Sequence, residues 1–344
     1  MSASFFSDQQ KHHNPPTFFA AGNFHPHPEI PDRADKLLEA ASQSGLILEE
    51  PQDFELTYIK KIHTKRYIDY LQNIYTRWSR KKGMSLEVFP DIRPDKRSCG
   101  YPKSAEGQAG FHHLDLSSPI EKNTWNSILW SAHSAAHAAT LVKNGEGASY
   151  ALARPPGHHA GKDYAAGFCY FGNSAIAAEV LKSNFDRIAI LDIDVHHGNG
   201  TQDIFYGRSD VLTVSIHADP IRFYPFCWGY SNEIGENEGV GFNINFPLPR
   251  GTEDEDYLKT LELAIKKIND FSPLGLVIAL GLDAYKEDPL TGLSITTEGF
   301  QKIGKRIGKM VLPTVIVQEG GYLCPELGLN LSSFLEGFNS ERGL

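Results

Sequence analysis

Short runs of apolar residues recur along the chain, and each ends in a polar or glycine-containing turn. They are residues 148–159, 187–197, 211–219, 241–248, 274–284 and 313–322. Near-continuous apolar runs of this length are typical of strands that are buried on both faces of a sheet. Most of them are separated by segments with helical spacing. We therefore expect an α/β fold with a central, mostly parallel sheet and helices on both faces.

The helical segments carry their own start and stop signals. Residues 123–145 offer Asn123 or Thr124 as a cap and Gly145 as a stop, and residues 252–271 begin with acids and continue with lysines. Such charges complement the helix dipole. Shorter amphipathic helices are expected in two further segments, residues 173–184 and 296–311.

Residues 75–120 do not follow the rhythm of strands and helices. They are rich in proline, glycine and charge. Long ordered loops of this kind are more often functional or interfacial than passive. We expect a single domain over residues 1–344, with a loop insertion at about 75–120.

Polar residues end most of the apolar runs, at the edge where open α/β sheets bind their ligands. The residues concerned are His158 and His159, then Asp192, Asp194 and His196, then Ser215 and His217, then Asp283, and finally Glu319, Gly320, Gly321 and Tyr322. One polar strand end would be a cap. Several at one edge indicate a functional site.

Asp194, His196 and Asp283 form the predicted metal set. Strand periodicity places Asp194 and His196 on one face, and Asp283 arrives from another strand. Three protein ligands leave a coordination position open, as a catalytic zinc site requires, although Fe(II), Co(II) or Mn(II) would also suit this set. Each residue alone could be a helix cap or part of a surface salt bridge, but the combination favours a metal.

Acid–base chemistry is predicted beside this set. Asp192 lies on the face of Asp194, where a carboxylate can orient a catalytic imidazole. His158 and His159 follow a stiff Arg-Pro-Pro-Gly turn, so one of them can act as a general base. Tyr322 follows two glycines and can stabilise an oxyanion, the alternative being a packed core tyrosine.

The remaining conspicuous histidines are interpreted as structural. We expect the adjacent pairs, His12 with His13 and His112 with His113, to lie on the surface. His197 falls on the strand face opposite His196, so we expect it to be a bystander.

Composition narrows the possible partners and compartment. The 344 residues are 41% hydrophobic and 22% charged, which is typical of a globular protein, and the net charge of -9 argues against nucleic-acid binding. The longest apolar run, from Leu274, is too short to span a bilayer, and the N-terminus lacks a signal-peptide pattern. The four cysteines are scattered, which suits a reducing compartment, so we expect a cytoplasmic protein. We expect ordinary, mostly buried thiols at all four positions, which are Cys99, Cys169, Cys227 and Cys324.

Four separated motifs, "RPPGHHAG", "LDIDVHHGNGTQ", "GLDAYKEDP" and "QEGGY", resemble those of the zinc-dependent histone deacetylase superfamily. That superfamily has the arginase-like three-layer fold, with eight parallel strands. The likeness covers residues 5–338. It is greatest to the bacterial acetylpolyamine amidohydrolases, which also have the loop insertion.

The resemblance implies a role for each motif residue. Zn(II) would be bound by Asp194, His196 and Asp283. His159 would be the general base and acid, His158 its electrostatic partner held by Asp192, and Tyr322 the group that polarises the carbonyl. Asn199 stands where class I enzymes have Asp, which gives His159 a neutral partner. A structural K⁺ site would use Asp192, Asp194, His196, Ser215 and Ile216.

The resemblance also implies a narrow substrate tunnel. Phe168 and Tyr224 match its aromatic walls, with Gly167 and Gly320 beside them. Glu106 matches an acid that attracts the distal ammonium of a polyamine. Ser117 stands where a second acid is expected, with Asp115 close by. The polyamine branch forms homodimers whose insertion helps to close the tunnel, so we expect a homodimer.

We therefore expect hydrolytic deacetylation of N-acetylated polyamines or related primary amines, which releases acetate and free amine. A protein or peptide acetyl-lysine deacetylase is the first alternative. A binuclear manganese ureohydrolase is the second alternative. It is disfavoured because it would need another metal-binding carboxylate where Ala284 and Tyr285 stand. A binding protein without turnover is the third alternative.

Overall fold

The computed structural model describes residues 3–95 and 98–343. Its strands are β1 Ala3–Phe5, β2 Thr17–Ala20, β3 Asn23–Pro26, β4 Ile47–Glu49, β5 Ala148–Ala151, β6 Ile188–Asp192, β7 Val211–Ala218, β8 Asn243–Leu248, β9 Gly275–Leu280 and β10 Thr314–Gln318. Its helices are α1 Pro31–Gln43, α2 Ile59–Ile62, α3 Lys65–Ser79, α4 Ala105–His112, α5 Thr124–Lys143, α6 Asn173–Leu181, α7 Asn199–Phe205, α8 Asp254–Phe271, α9 Thr297–Gly308 and α10 Leu327–Ser340.

Eight of the described strands form one sheet in the order β4-β1-β5-β10-β9-β6-β7-β8. Every neighbouring pair in it is parallel. β2 and β3 form a separate antiparallel hairpin. The predicted α/β fold is confirmed, and the six apolar runs contain β5 to β10. The pattern did not indicate β1 to β4, because three or four residues are too few to show a period.

Both faces of the sheet are covered by helices, which gives three layers. One core packs the sheet against α1, α8, α9 and α10, and the other packs it against α3, α5 and α6. Successive strand residues point to opposite cores: Leu276 and Ile278 lie in the first and Val277 in the second. This two-sided burial is why the strands are almost continuously apolar.

The four predicted helices correspond to α5, α6, α8 and α9. Asn123 precedes α5, but its side chain makes no capping hydrogen bond. In α9 the hydroxyl of Thr296 accepts a hydrogen bond from the amide of Gly299 and caps the helix. In residues 75–120, α3 continues to Ser79 and α4 forms a second helix. The rest of that segment is mostly irregular, and residues 96 and 97 lie outside the described part.

The surface location predicted for the histidine pairs is wrong for three of the four residues. His12 is exposed, but His13, His112 and His113 are buried. Each has a polar partner from a distant segment; the Nε2 of His113, for example, lies 2.8 Å from the hydroxyl of Tyr70. Local sequence could not indicate these partners, because they depend on how separate segments pack.

The structure also bears on two expectations from the sequence, the burial of the cysteines and the lack of a membrane-spanning segment. All four cysteines lie in the described part and are free thiols. Cys169 is buried as expected, whereas Cys227 is exposed and the other two are half-buried. Among the described helices, each is too short or too polar to cross a bilayer.

His63 is a buried histidine whose two ring nitrogens are both engaged by backbone groups. Nδ1 donates to the carbonyl of Gly161 at 3.0 Å, and Nε2 accepts from the amide of Gly172 at 3.0 Å. This arrangement requires the neutral ring. Burial lowers the pKa of His63 from 6.5 to about 4.

We predict that the protein loses stability as the pH falls from 6.5 to 4. In this range the unfolded chain protonates His63 while the folded chain does not, so acid favours unfolding. The shift corresponds to a loss of about 3 kcal/mol at pH 4. Urea unfolding of wild type and His63→Gln at several pH values measures it. The variant should show a shallower pH dependence, and identical slopes would contradict the prediction.

Candidate active site

The three predicted metal ligands lie in the loops that follow two strands of the sheet. β6 ends at Asp192, so Asp194 and His196 lie beyond it, and β9 ends before Asp283. The strand periodicity used to place Asp194 and His196 together therefore does not apply. They converge through a tight turn instead, in which the amide of His196 donates to Oδ1 of Asp194 at 2.9 Å. Because the strands are parallel, these loops meet at one edge of the sheet.

Asp194, His196 and Asp283 come together as a compact cluster. One ligand atom from each lies within 4.8 Å of the others. Nδ1 of His196 is 3.2 Å from Oδ1 of Asp194 and 3.2 Å from Oδ2 of Asp283. Backbone amides orient both carboxylates: Gly320 donates to Asp194 at 2.8 Å and Val195 donates to Asp283 at 3.1 Å. Two carboxylates and one imidazole fit a divalent ion such as Zn(II).

The loop after β10 passes so close to the cluster that only glycine fits at position 320. A Cβ atom on this residue would lie 2.1 Å from Oδ2 of Asp283 and 2.5 Å from Oδ2 of Asp194. Any side chain would displace the carboxylates. The glycine therefore permits the backbone amide to reach Asp194.

His158 lies against the cluster and between two carboxylates. Its Nδ1 donates to Oδ2 of Asp192 at 3.0 Å, and its Nε2 lies 3.7 Å from Oδ1 of Asp194. Burial acts to lower the pKa of His158, but the carboxylates of Asp194 and Asp192 raise it to about 10. Asp192 thus lies behind His158, where the sequence placed it.

His159 has the opposite electrostatic environment. Its Nδ1 donates to Oδ1 of Asn199 at 2.7 Å, which leaves Nε2 without a proton when the ring is neutral. Burial and the neighbouring His158 and His196 lower the pKa of His159 well below its ordinary value. Adjacent residues with pKa values pushed apart are typical of a divided acid–base role.

Glu319 holds the backbone that carries this histidine pair. Its Oε2 accepts from the amides of Gly157 and His158 at 2.6 and 3.0 Å. Its Oε1 accepts from the hydroxyl of Ser174 at 2.7 Å. The loop after β10 therefore fixes the turn that follows β5.

Aromatic rings form the walls beside the cluster. Phe168 packs edge to face with Tyr322 at 5.8 Å between centroids, and Tyr224 packs in the same way with His159 at 4.9 Å. Asp115 joins the two walls, because its Oδ2 accepts from the hydroxyl of Tyr224 at 2.5 Å and from the amide of Gly167 at 2.9 Å. The sequence indicated only that Asp115 is near the rim.

Gly167 and Ser117 also lie at this wall. A Cβ atom on Gly167, which has a φ of 50°, would lie 2.4 Å from Cδ2 of His159. The amide of Ser117 donates to Oδ1 of Asp115 at 2.8 Å. Ser117 therefore supports the wall through its backbone.

Glu106 is engaged within the insertion. It lies in the first turn of α4 and forms an ion pair with Lys81. Its other carboxylate oxygen is buried without a partner among the described residues. The structure therefore gives Glu106 a cation from within the insertion.

Tyr322 is buried beside the cluster, with its backbone and its ring both in contact with other residues. Its amide donates to Oδ2 of Asp288 at 2.7 Å. The guanidinium of Arg33 lies 5.3 Å from the centre of its ring. Arg33 also donates to the carbonyls of Glu319 and Gly321.

Sequence reasoning missed a buried ion-pair network that holds these loops. Oε1 of Glu29 lies 3.0 Å from Nη1 of Arg33 and 2.8 Å from Nε of Arg154. All three side chains are at most 1% exposed. The spacing of Glu29 and Arg33 matched an ordinary surface pair on a helix, so local sequence gave no signal of burial.

Two of the five residues predicted for a monovalent cation, Asp192 and Ser215, lie together beside the cluster, to which Asp194 and His196 themselves belong. Asp192 and Ser215 are partners in the register of β6 and β7. Both line a cavity of about 10 Å³, close to the volume one water or ion requires. His197 lines the same cavity, and its ring lies 4.7 Å from that of His217.

A parallel α/β sheet with a two-carboxylate, one-imidazole cluster and a histidine pair at its carboxyl edge defines a metal-dependent hydrolase of the deacetylase fold. The chain belongs to the histone deacetylase family: residues 27–338 match the histone deacetylase domain.

Individual relatives cover almost the whole chain. It is 42% identical to acetylpolyamine amidohydrolase of Burkholderia pseudomallei over 343 residues, 99% of each protein. It is 38% identical to acetylpolyamine amidohydrolase 2 of Pseudomonas aeruginosa, over 97% of this chain and 98% of that protein. The crystal structure of acetylpolyamine aminohydrolase from Burkholderia pseudomallei, from an iodide soak, matches with a TM-score of 0.96 and 41% identity, over 99% of both chains. The resemblance found in the motifs is thereby confirmed.

We predict that Glu29→Ala destabilises the fold by about 3–5 kcal/mol, because it leaves two buried guanidinium groups without their shared counter-charge. Chemical denaturation measures the loss. Asp270→Ala is the control, since it removes only the exposed pair with Lys266 and should cost less than about 1 kcal/mol. Similar small losses in both variants would refute the structural role of Glu29.

Proposed function

We propose that this chain is a metal-dependent deacetylase that hydrolyses N-acetylated polyamines or related acetylated primary amines. The observation that carries the proposal is the cluster of Asp194, His196 and Asp283. Beside it lie two histidines whose pKa values are shifted in opposite directions, raised for His158 and lowered for His159. Family membership and the names of the relatives support the substrate class.

Zn(II) is the proposed metal, with Fe(II) or Co(II) as substitutes, held by Nδ1 of His196 and by the carboxylates of Asp194 and Asp283. When bound, such an ion supplies a Lewis acid that polarises the acetyl carbonyl and activates water. Burial of the cluster and its backbone hydrogen bonds keep the carboxylates oriented for this task.

The side chains around the metal move the protons. His159 takes a proton from the attacking water on Nε2, because Nδ1 is occupied by Asn199. The hydroxyl of Tyr322 donates a hydrogen bond to the oxyanion that develops on the carbonyl. His159 then returns its proton to the departing nitrogen as the C–N bond breaks, which gives acetate and free amine. His158 stays charged against Asp192 throughout.

The aromatic walls and the acidic residues near them favour a slender, cationic substrate. Phe168 and Tyr224 can flank an alkyl chain, and electron-rich rings attract ammonium groups. We assign Gly167 and Gly320 to the tunnel wall and Glu106 to the attraction of the distal ammonium.

We further propose a single domain whose 75–120 insertion forms a homodimer interface. Exposed apolar side chains within it support an interface, among them Leu86 and Ile92, which are 86% and 61% exposed. A structural K⁺ is proposed at Asp192, Asp194, His196, Ser215 and Ile216, supported by the pairing of Asp192 with Ser215. The free cysteines support a reducing, cytoplasmic compartment.

We expect acetylputrescine, acetylcadaverine or acetylspermidine to be deacetylated faster than an acetyl-lysine peptide. Parallel assays of released acetate compare kcat/KM for these substrates. Chelation should abolish activity, and adding back Zn(II), Fe(II) or Co(II) should restore it. Faster turnover of the peptide would replace the polyamine assignment with the protein deacetylase alternative.

We expect Tyr322→Phe to lower kcat about 100- to 1,000-fold, the usual effect of losing one oxyanion donor. Tyr150→Phe is the matched control, because it removes another buried hydroxyl, which donates to Gln318 at 2.8 Å beneath the sheet edge. Its turnover should stay near wild type. Near-normal turnover of Tyr322→Phe would remove this residue from the mechanism.

A further inference from the structure

Asp288 is a buried carboxylate that the acid–base mechanism does not use. It lies after β9, five residues beyond Asp283, and is 4% exposed. Its Oδ2 accepts from the amide of Tyr322 at 2.7 Å, and its Oδ1 accepts from the amide of Leu290 at 2.8 Å. No lysine, arginine or histidine pairs with it in the described part of the chain.

The segment that carries Asp288 is itself fixed by backbone hydrogen bonds. The amide of Asp288 donates to the carbonyl of Tyr285 at 3.1 Å, and the amide of Thr291 donates to the carbonyl of Asp288 at 3.2 Å. The carboxylate is therefore presented from a formed turn. A buried carboxylate without a counter-charge is costly, which indicates a role beyond general stability.

The loop that Asp288 contacts is held by side chains from outside it, since Arg33 also donates to the carbonyls of Glu319 and Gly321. Gly320 and Gly321 precede Tyr322, and Gly321 has a φ of 110°, in the region that favours glycine. Two successive glycines give the backbone little preference of its own. Asp288 fixes this backbone at Tyr322 itself, the residue whose phenol must face the substrate carbonyl.

We propose that Asp288 is a positioning residue, which sets the direction of the Tyr322 hydroxyl by holding its backbone amide. The inference rests on the proposed function and deepens it. A displacement of about 1 Å in a catalytic group can cost on the order of 100-fold in rate. Loss of the anchor therefore acts on turnover more than on substrate binding.

Asp288 has a second route by which it could affect catalysis. It shares a loop with Asp283, so its removal could disturb the metal ligands. The two routes differ in what they require: the first needs the Tyr322 hydroxyl, and the second changes metal loading.

The test measures Asp288→Ala in the wild-type and Tyr322→Phe backgrounds, with an acetylated primary amine as substrate and Zn(II) content determined for each protein. We expect kcat to fall about 10- to 100-fold in the wild-type background, with KM changed less than about threefold and zinc content unchanged. In the Tyr322→Phe background the further loss should be less than about threefold, because both changes act through one hydroxyl.

Asp254→Ala is the matched control. The Asp254 carboxylate also accepts from a backbone amide and a second donor, the Thr296 amide at 2.9 Å and hydroxyl at 2.6 Å, but it holds the start of α9. It should lower stability without selective loss of kcat. If Asp288→Ala folds poorly, Asp288→Asn, which keeps one acceptor oxygen for two amides, should give an intermediate loss.

Equal losses in both backgrounds, or reduced zinc content, would overturn the positioning role. Hydrogen exchange at the Tyr322 amide tests the anchor without catalysis: protection should fall in Asp288→Ala and persist in Asp254→Ala. Unchanged protection would refute the anchor. If protection falls as expected but the wild type deacetylates no amine, the proposed function fails while the anchor stands.

Discussion

The shared ion pair of Glu29 with Arg33 and Arg154 is the interaction on which the geometry of the site depends. Arg154 lies just before the histidine turn and donates to the carbonyl of His13, which ties in the N-terminal segment. Arg33 reaches the carbonyls of the loop that carries Tyr322. A buried charge network is costly unless every member is paired. One carboxylate lies between two guanidinium groups here, and the guanidinium groups also donate to backbone carbonyls on the two sides of the site.

The histidine pair shows how one sequence motif yields two different environments. His158 and His159 are neighbours in the chain, yet one faces carboxylates and the other an amide. The carboxylates raise the pKa of His158, whereas burial and the neighbouring His158 and His196 lower the pKa of His159. Asn199 contributes by remaining neutral. A second carboxylate in its place would reduce the difference between the two rings.

The aromatic walls and the backbone of Tyr322 are held by carboxylates that make no ion pair among the described residues. Asp115 joins the backbone of Gly167 to the hydroxyl of Tyr224, and Asp288 joins the loop after β9 to Tyr322. Backbone amides are fixed donors, so a carboxylate that accepts them positions a loop accurately. The rigid parallel sheet supplies the edge, and these acids set the distances above it.

The sequence by itself determined the class of fold and the residues at the carboxyl edge, because two-sided burial makes strands apolar and any polar group at their ends conspicuous. The motifs also carried the family resemblance. Tertiary structure decided the burial of His13, His112 and His113 and the network of Glu29, Arg33 and Arg154. It also decided the opposite pKa shifts of His158 and His159 and the hydrogen bonds that Asp115 and Asp288 accept. Each of these depends on contacts between residues far apart in the chain, such as Glu29 with Arg154, and local periodicity carries no information about such partners.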